Sequence, residues 1–170
     1  MSRASKIIAL AKTYNNKVEK PGNTGFFDHT FERDMKAVGW YVKAPWCAFF
    51  VRLVWQYAYA DHKGMLATVK RCFTGGTLDT LENVKDNGTF ETGTVPRPGA
   101  IVIWSKGKGP AGHAGIVIKV DGNTMTTIEG NTNASGSRDG DRVATKLRTV
   151  HREFTTDGLN VAGYIYPFEV

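Results

Sequence analysis

The chain has 170 residues, 41% of them hydrophobic and 11% aromatic, and a net charge of +6. That length suits one folded domain with a sizeable core, so 1–170 reads as a single unit, and no apolar run is long enough to span a membrane. The charge favours a polyanionic partner or simply good solubility; the basic residues are scattered rather than clustered, which argues against nucleic acid.

The first residues, MSRASKIIALAKTY, have a basic start and a short apolar patch broken by Lys12. A signal-peptide core and cleavage site are lacking, so synthesis in the cytoplasm is expected, with any export by another route. The segment reads as an amphipathic helix carrying Ile7, Leu10, Ala11 and Tyr14 on one face. Phe27, Phe31, Met35 and Val38 recur at helical spacing up to a C-terminal glycine, Gly39. After Ala44-Pro45-Trp46 comes 47–60, apolar nearly all round with a thin polar stripe of Arg52 and Gln56, the pattern of a central core helix. Thr77 caps a third core-packed helix bearing Leu78, Leu81 and Val84, which stops at Asn87-Gly88.

The second half reads as strands. A Pro-Arg-Pro-Gly turn precedes a buried strand at 100–104, and a Gly- and Lys-rich loop leads into a strand at 113–120. Asp121-Gly122-Asn123 signals a hairpin turn, with the return strand at 124–129. A polar loop over 130–141 separates two further strands, 142–150 and 161–166. Helices followed by strands predict an α+β domain with an antiparallel sheet.

Three chemistry-bearing residues fall at element ends. Cys47 opens the buried helix, where a helix N-terminus favours the nucleophilic thiolate. His113 opens a strand, and Glu129 closes the next one. The hairpin sets the last two near its open end on opposing strands, within reach of each other. A thiol nucleophile needs a base, and the base an orienting partner. Each residue alone also suits a bland role: a packed thiol, a polar strand end, a turn acid. The two cysteines, Cys47 and Cys72, allow at most one disulfide, and there is no Cys-x-x-Cys pair. The four histidines are far apart, so no metal site and no cofactor is expected.

Taken together, PWCAFFVRLVW, PRPGAIVIW, GHAGIVI, TIEGNTN and GDRVATKLR resemble the CHAP amidase/peptidase domains, relatives of the NlpC/P60 peptidases with a papain-like fold. The resemblance covers roughly 40–166. It implies Cys47 as nucleophile, His113 as base, Glu129 as its acidic partner and Asn131 as an assisting amide. It also implies hydrolysis of an amide bond in peptidoglycan, as in phage endolysins and bacterial autolysins. Papain-like enzymes often carry a glutamine six residues before the nucleophile to assist the oxyanion hole. Tyr41 stands there instead, as a donor through its hydroxyl or as a packed aromatic. No Asp-rich calcium loop precedes Cys47. Cys72, in the electropositive KRCFTGG, is the rival nucleophile. Another reading of the same site is a cysteine acyltransferase or toxin-like effector; the non-enzymatic reading is a basic polyanion-binding module. A monomer acting on bacterial peptidoglycan is the expected form.

Overall fold

The structure, a computed structural model, describes residues 1–132 and 140–170. Five helices come first: α1 (Arg3–Thr13), α2 (His29–Ala37), α3 (Cys47–Ala58), α4 (Lys63–Cys72) and α5 (Thr77–Asn87). Six strands follow: β1 (Thr92–Gly93), β2 (Ile101–Lys106), β3 (Gly112–Asp121), β4 (Thr124–Thr132), β5 (Arg142–Thr149) and β6 (Leu159–Ile165). They form one antiparallel sheet in the order β1-β6-β2-β3-β4-β5. The α+β architecture expected from the sequence is therefore present.

Nine of the twelve residues of α3 are buried, so it lies inside the core rather than over it. It packs on the sheet face formed by Ile103, Ile116 and Ile128. Because strand side chains alternate, the neighbouring positions Val102, Trp104, Val117 and Met125 point to the other face and form a second apolar cluster with Tyr164. His113 shares that second face with Val117, and Glu129 shares it with Met125. The two residues of interest thus stand on the face turned away from α3, at the end of the sheet where α3 begins.

Several boundaries differ from the sequence reading. Phe27 is not on the α2 core face: Asp28 caps the helix by accepting from the Phe31 N–H at 2.8 Å, α2 starts at His29, and Phe27 is 62% exposed. Phe26 takes the buried place, edge-on to Trp46 and Phe31. Helix α4 was not anticipated; its start is capped by His62, whose Nδ1 accepts from the Met65 N–H. Thr77 is not a cap but the first residue of α5, and Gly76 is the N-cap. The first core helix ends at Ala58 instead of residue 60. The expected loop at 130–141 is shorter at its start, since β4 runs on to Thr132; 133–139 lie outside the described residues.

Candidate active site

Cys47 is the first residue of α3 and is 6% exposed. The turn before it is tied down from three sides. The Trp46 indole N–H donates to Glu19 Oε2 at 2.8 Å, the Trp40 indole N–H donates to the Ala44 carbonyl at 3.0 Å, and the Lys43 N–H donates to the Asn23 carbonyl. Burial pushes the Glu19 carboxyl up from its usual range. No side chain caps the start of α3 and its first turn holds no acid. The positive end of the helix dipole is therefore left for negative charge at the sulfur.

Strand β4 reaches this helix start because of Gly130. A Cβ there would come within 2.7 Å of Phe50 Cβ and 2.8 Å of Trp46 Cζ3. Any side chain would push the strand, and Glu129 with it, away from Cys47.

His113 is the hub of the site. It interacts with the Cys47 thiol, which helps to raise its pKa, and its Nε2–H donates to Glu129 Oε2 at 2.7 Å. With Nε2 so engaged, Nδ1 is the ring nitrogen left for the sulfur. Trp104, its cross-strand partner on β2, stacks on the imidazole at 5.6 Å and 23°. Burial pulls the His113 pKa down, but the interactions with Cys47 and Glu129 outweigh it and lift the imidazole to about 9.

Glu129 is fully buried and is held by four hydrogen bonds among the described residues. Besides His113, the Arg148 Nε–H donates to Oε1 at 2.8 Å and Nη2–H to Oε2 at 2.5 Å, and Thr127 Oγ1 donates to Oε1 at 2.5 Å. Burial raises its pKa; Arg148 and His113 more than offset this and hold it at about 2. A buried carboxylate survives as an anion only with such partners.

The expected pairing of His113 with Glu129 is present, but it runs diagonally. The register of Ile116 against Ile128, read on, sets Glu129 opposite Gly115. A Cβ on Gly115 would lie 2.7 Å from Glu129 Cγ. The bare glycine lets the carboxylate cross β3 to the imidazole.

The other expected members stand apart. In a regular strand Glu129 and Asn131, as residues i and i+2, would share a face. The β4–β5 register shifts between Glu129 and Thr132, and Asn131 is left-handed with φ 53°, so simple alternation fails there. Among the described residues no hydrogen bond joins Asn131 to His113. Tyr41 is 67% exposed, with its ring edge-on to Phe49 at 6.4 Å. Cys72 is buried at the end of α4, and both thiols are free. Among the described residues no cluster of histidine, cysteine and carboxylate groups has the geometry of a metal site.

Arg148, Thr127, Trp104 and Gly115 are parts of the site that the sequence reading missed. Arg148 and Thr127 sit in ordinary alternating strands, and only the register brings them to Glu129.

The model of the CHAP domain family matches residues 39–131, which include Cys47, His113 and Glu129. The chain belongs to the CHAP domain family. Its fold is also found in solved structures. One is the crystal structure of Ly7917, with 20% identity and a TM-score of 0.56; another is Ly7917 with the hydrolysing product of MDP, with 17% identity and a TM-score of 0.57. In both cases 96% of this CHAP chain is covered but only 62% of the other chain. No curated protein matches this CHAP chain.

Proposed function

We propose that this CHAP domain is a peptidoglycan hydrolase that cleaves an amide bond by a Cys-His-Glu mechanism. The observation that carries the reading is His113, hydrogen-bonded to the buried Glu129 and interacting with the Cys47 thiol, which opens a helix with an uncapped start. His113 Nδ1 takes the thiol proton as Cys47 Sγ attacks the substrate carbonyl carbon. The oxyanion that forms lies against the free N–H groups of the first turn of α3. Collapse breaks the C–N bond, and the leaving amine takes the proton from His113. Water, deprotonated by the same ring, then hydrolyses the thioester and restores the thiol.

Glu129 keeps the ring oriented and stabilises its protonated form. Raised to about 9, the imidazole is basic enough to hold the thiol proton until it passes to the leaving amine.

The wall as substrate rests on family membership and on the fold neighbour crystallised with the hydrolysing product of MDP, a muramyl dipeptide. That ligand favours an N-acetylmuramoyl-L-alanine amidase over an endopeptidase. The net charge of +6 suits an anionic wall. The protein acts there as a monomer, after release or delivery from the cytoplasm.

The test is clearing of a purified cell-wall suspension, with mass spectrometry of the released fragments. New N-terminal alanine on the stem peptides, lost with Cys47→Ala, is expected. Walls left intact by the folded wild-type protein would refute the reading.

A further inference from the structure

The sheet curls enough to bring Arg148 of β5 within 5.4 Å of the Trp104 ring on β2, three strands away in the sheet order. In the mouth of this curl lies a pocket of about 500 Å³, between the end of β5, the start of β6 and the segment that links them. Trp104 and Arg148 form part of its wall, so it abuts the end of the hydrogen-bonded chain farthest from Cys47.

Among the described residues two guanidinium groups line it, and each donates to an acceptor. Arg148 is fixed on Glu129 through Nε and Nη2. Arg152 is fixed by a hydrogen bond from Nη2 to the Leu159 carbonyl. Each keeps N–H groups that make no other hydrogen bond among the described residues. Among the described residues no carboxylate lines the pocket. Since Arg148 is balanced by Glu129, one uncompensated guanidinium charge remains, which matches a monoanion better than a dianion. The rim carries Leu147 and Phe154, 72% and 52% exposed, which folding alone leaves unsatisfied. Pre-positioned guanidinium forks recognise carboxylates in plane, with little ordering left to do on binding.

We propose that this pocket binds a free carboxylate on a peptide with an apolar side chain, the carboxylate on Arg152 and Arg148 and the side chain on Leu147 and Phe154. This rests on the wall-hydrolase reading, in which the substrate's peptide stems end in such carboxylates; the pocket is then a second recognition point beyond the scissile bond.

The experiment uses the Cys47→Ala protein, so that nothing is turned over. The probes are N-acetyl-alanyl-leucine, its C-terminal amide and inorganic phosphate, followed by indole fluorescence and by amide chemical shifts. The acid is expected to bind at least tenfold more tightly than the amide, with shifts centred on Trp104, Leu147 and Leu159. Arg152→Gln should remove that preference, and Arg152→Lys should keep part of it. Equal binding of acid and amide, phosphate binding as tightly as the acid, or a preference that survives Arg152→Gln in a variant with a native spectrum would each overturn the proposal. Wall clearing by the wild-type protein is scored separately. Walls cleared without acid binding remove the pocket and leave the hydrolase; acid binding without clearing does the reverse.

Discussion

Replacing Glu129 by glutamine exchanges one carboxylate oxygen for an amide nitrogen at the centre of the hydrogen-bonded chain. The fully buried carboxylate accepts from His113 at 2.7 Å. A charged hydrogen bond contributes about 1.5–3 kcal/mol and a neutral one about 1 kcal/mol, so the exchange loses about 1–2 kcal/mol of imidazolium stabilisation. The lost ion-pair attraction adds to this, since at 4 Å and an effective dielectric of 20 it approaches about 4 kcal/mol before desolvation is subtracted. A net loss of about 3 kcal/mol corresponds to a fall in kcat on the order of 10²-fold. Glutamine also lowers the His113 pKa from about 9, because one of the groups that raise it is gone. The alkaline limb of the pH–rate profile should therefore move to lower pH. Asn131→Ala, which removes no hydrogen bond to His113 among the described residues, should cost less than tenfold and leave that limb in place. Single-turnover kinetics on a defined soluble muropeptide, from pH 5 to 10, measures both effects. Circular dichroism checks the fold, since Glu129→Gln leaves Arg148 without its anion. An unchanged alkaline limb with near-normal kcat for Glu129→Gln, or a crippled Asn131→Ala, would refute the assignment of Glu129 as the partner of His113.

Gly115→Ala places a methyl group 2.7 Å from Glu129 Cγ and should displace the carboxylate. A loss of activity on the order of tenfold or more is expected with little change in far-UV circular dichroism; full activity would show that the carboxylate need not cross β3 there. Arg148→Gln removes two of the four hydrogen bonds to Glu129. Breaking a buried pair costs about 3–5 kcal/mol, reduced here to about 2–3 because Arg148 is 26% exposed, so Tm should fall by roughly 5–10 °C in a thermal melt. Iodoacetamide should label Cys47 before Cys72, and Cys72→Ala should keep most activity while losing about 1–2 kcal/mol of stability in urea titration. Two opposite pH dependences of stability are expected from denaturant midpoints. Glu129, held low at about 2, contributes stability that is complete above the ordinary carboxylate pKa near 4.5 and is lost as pH falls towards 2. His113, held high, contributes stability that is complete below about 6.5 and is lost as pH rises through about 9.

Much of the fold is legible in the chain itself. The all-round apolar run after Trp46 can only be a central helix. Val84 to Gly88 ends as written, with Gly88 left-handed at φ 72°. Asp121-Gly122-Asn123 closes the β3–β4 hairpin with Asp121 paired to Thr124. The segment 63–72 was missed because its apolar residues are few, Met65, Leu66 and Val69 among polar neighbours; packing against α3 and α5 makes it a helix rather than periodicity. Phe27 misled for a related reason: helical spacing places Phe27 with Phe31, but an aspartate at 28 is a better cap than a helix interior, and the cap decides where α2 starts.

The candidate site divides along the same line. The sequence by itself determined that Cys47 begins a buried helix and that His113 and Glu129 stand at the open end of one hairpin, because these follow from local periodicity and turn chemistry. It carried no sign of Arg148, whose place in β5 looks like any outward strand position, nor of Gly115 and Gly130, whose value is the side chain they lack. Those roles depend on strand register, on the bulge after Glu129 and on the curl that brings β5 round to β2. They arise from pairings between residues far apart in the chain. Only the tertiary structure decided them, because a charge can be kept in the core only where several distant elements bring it enough partners.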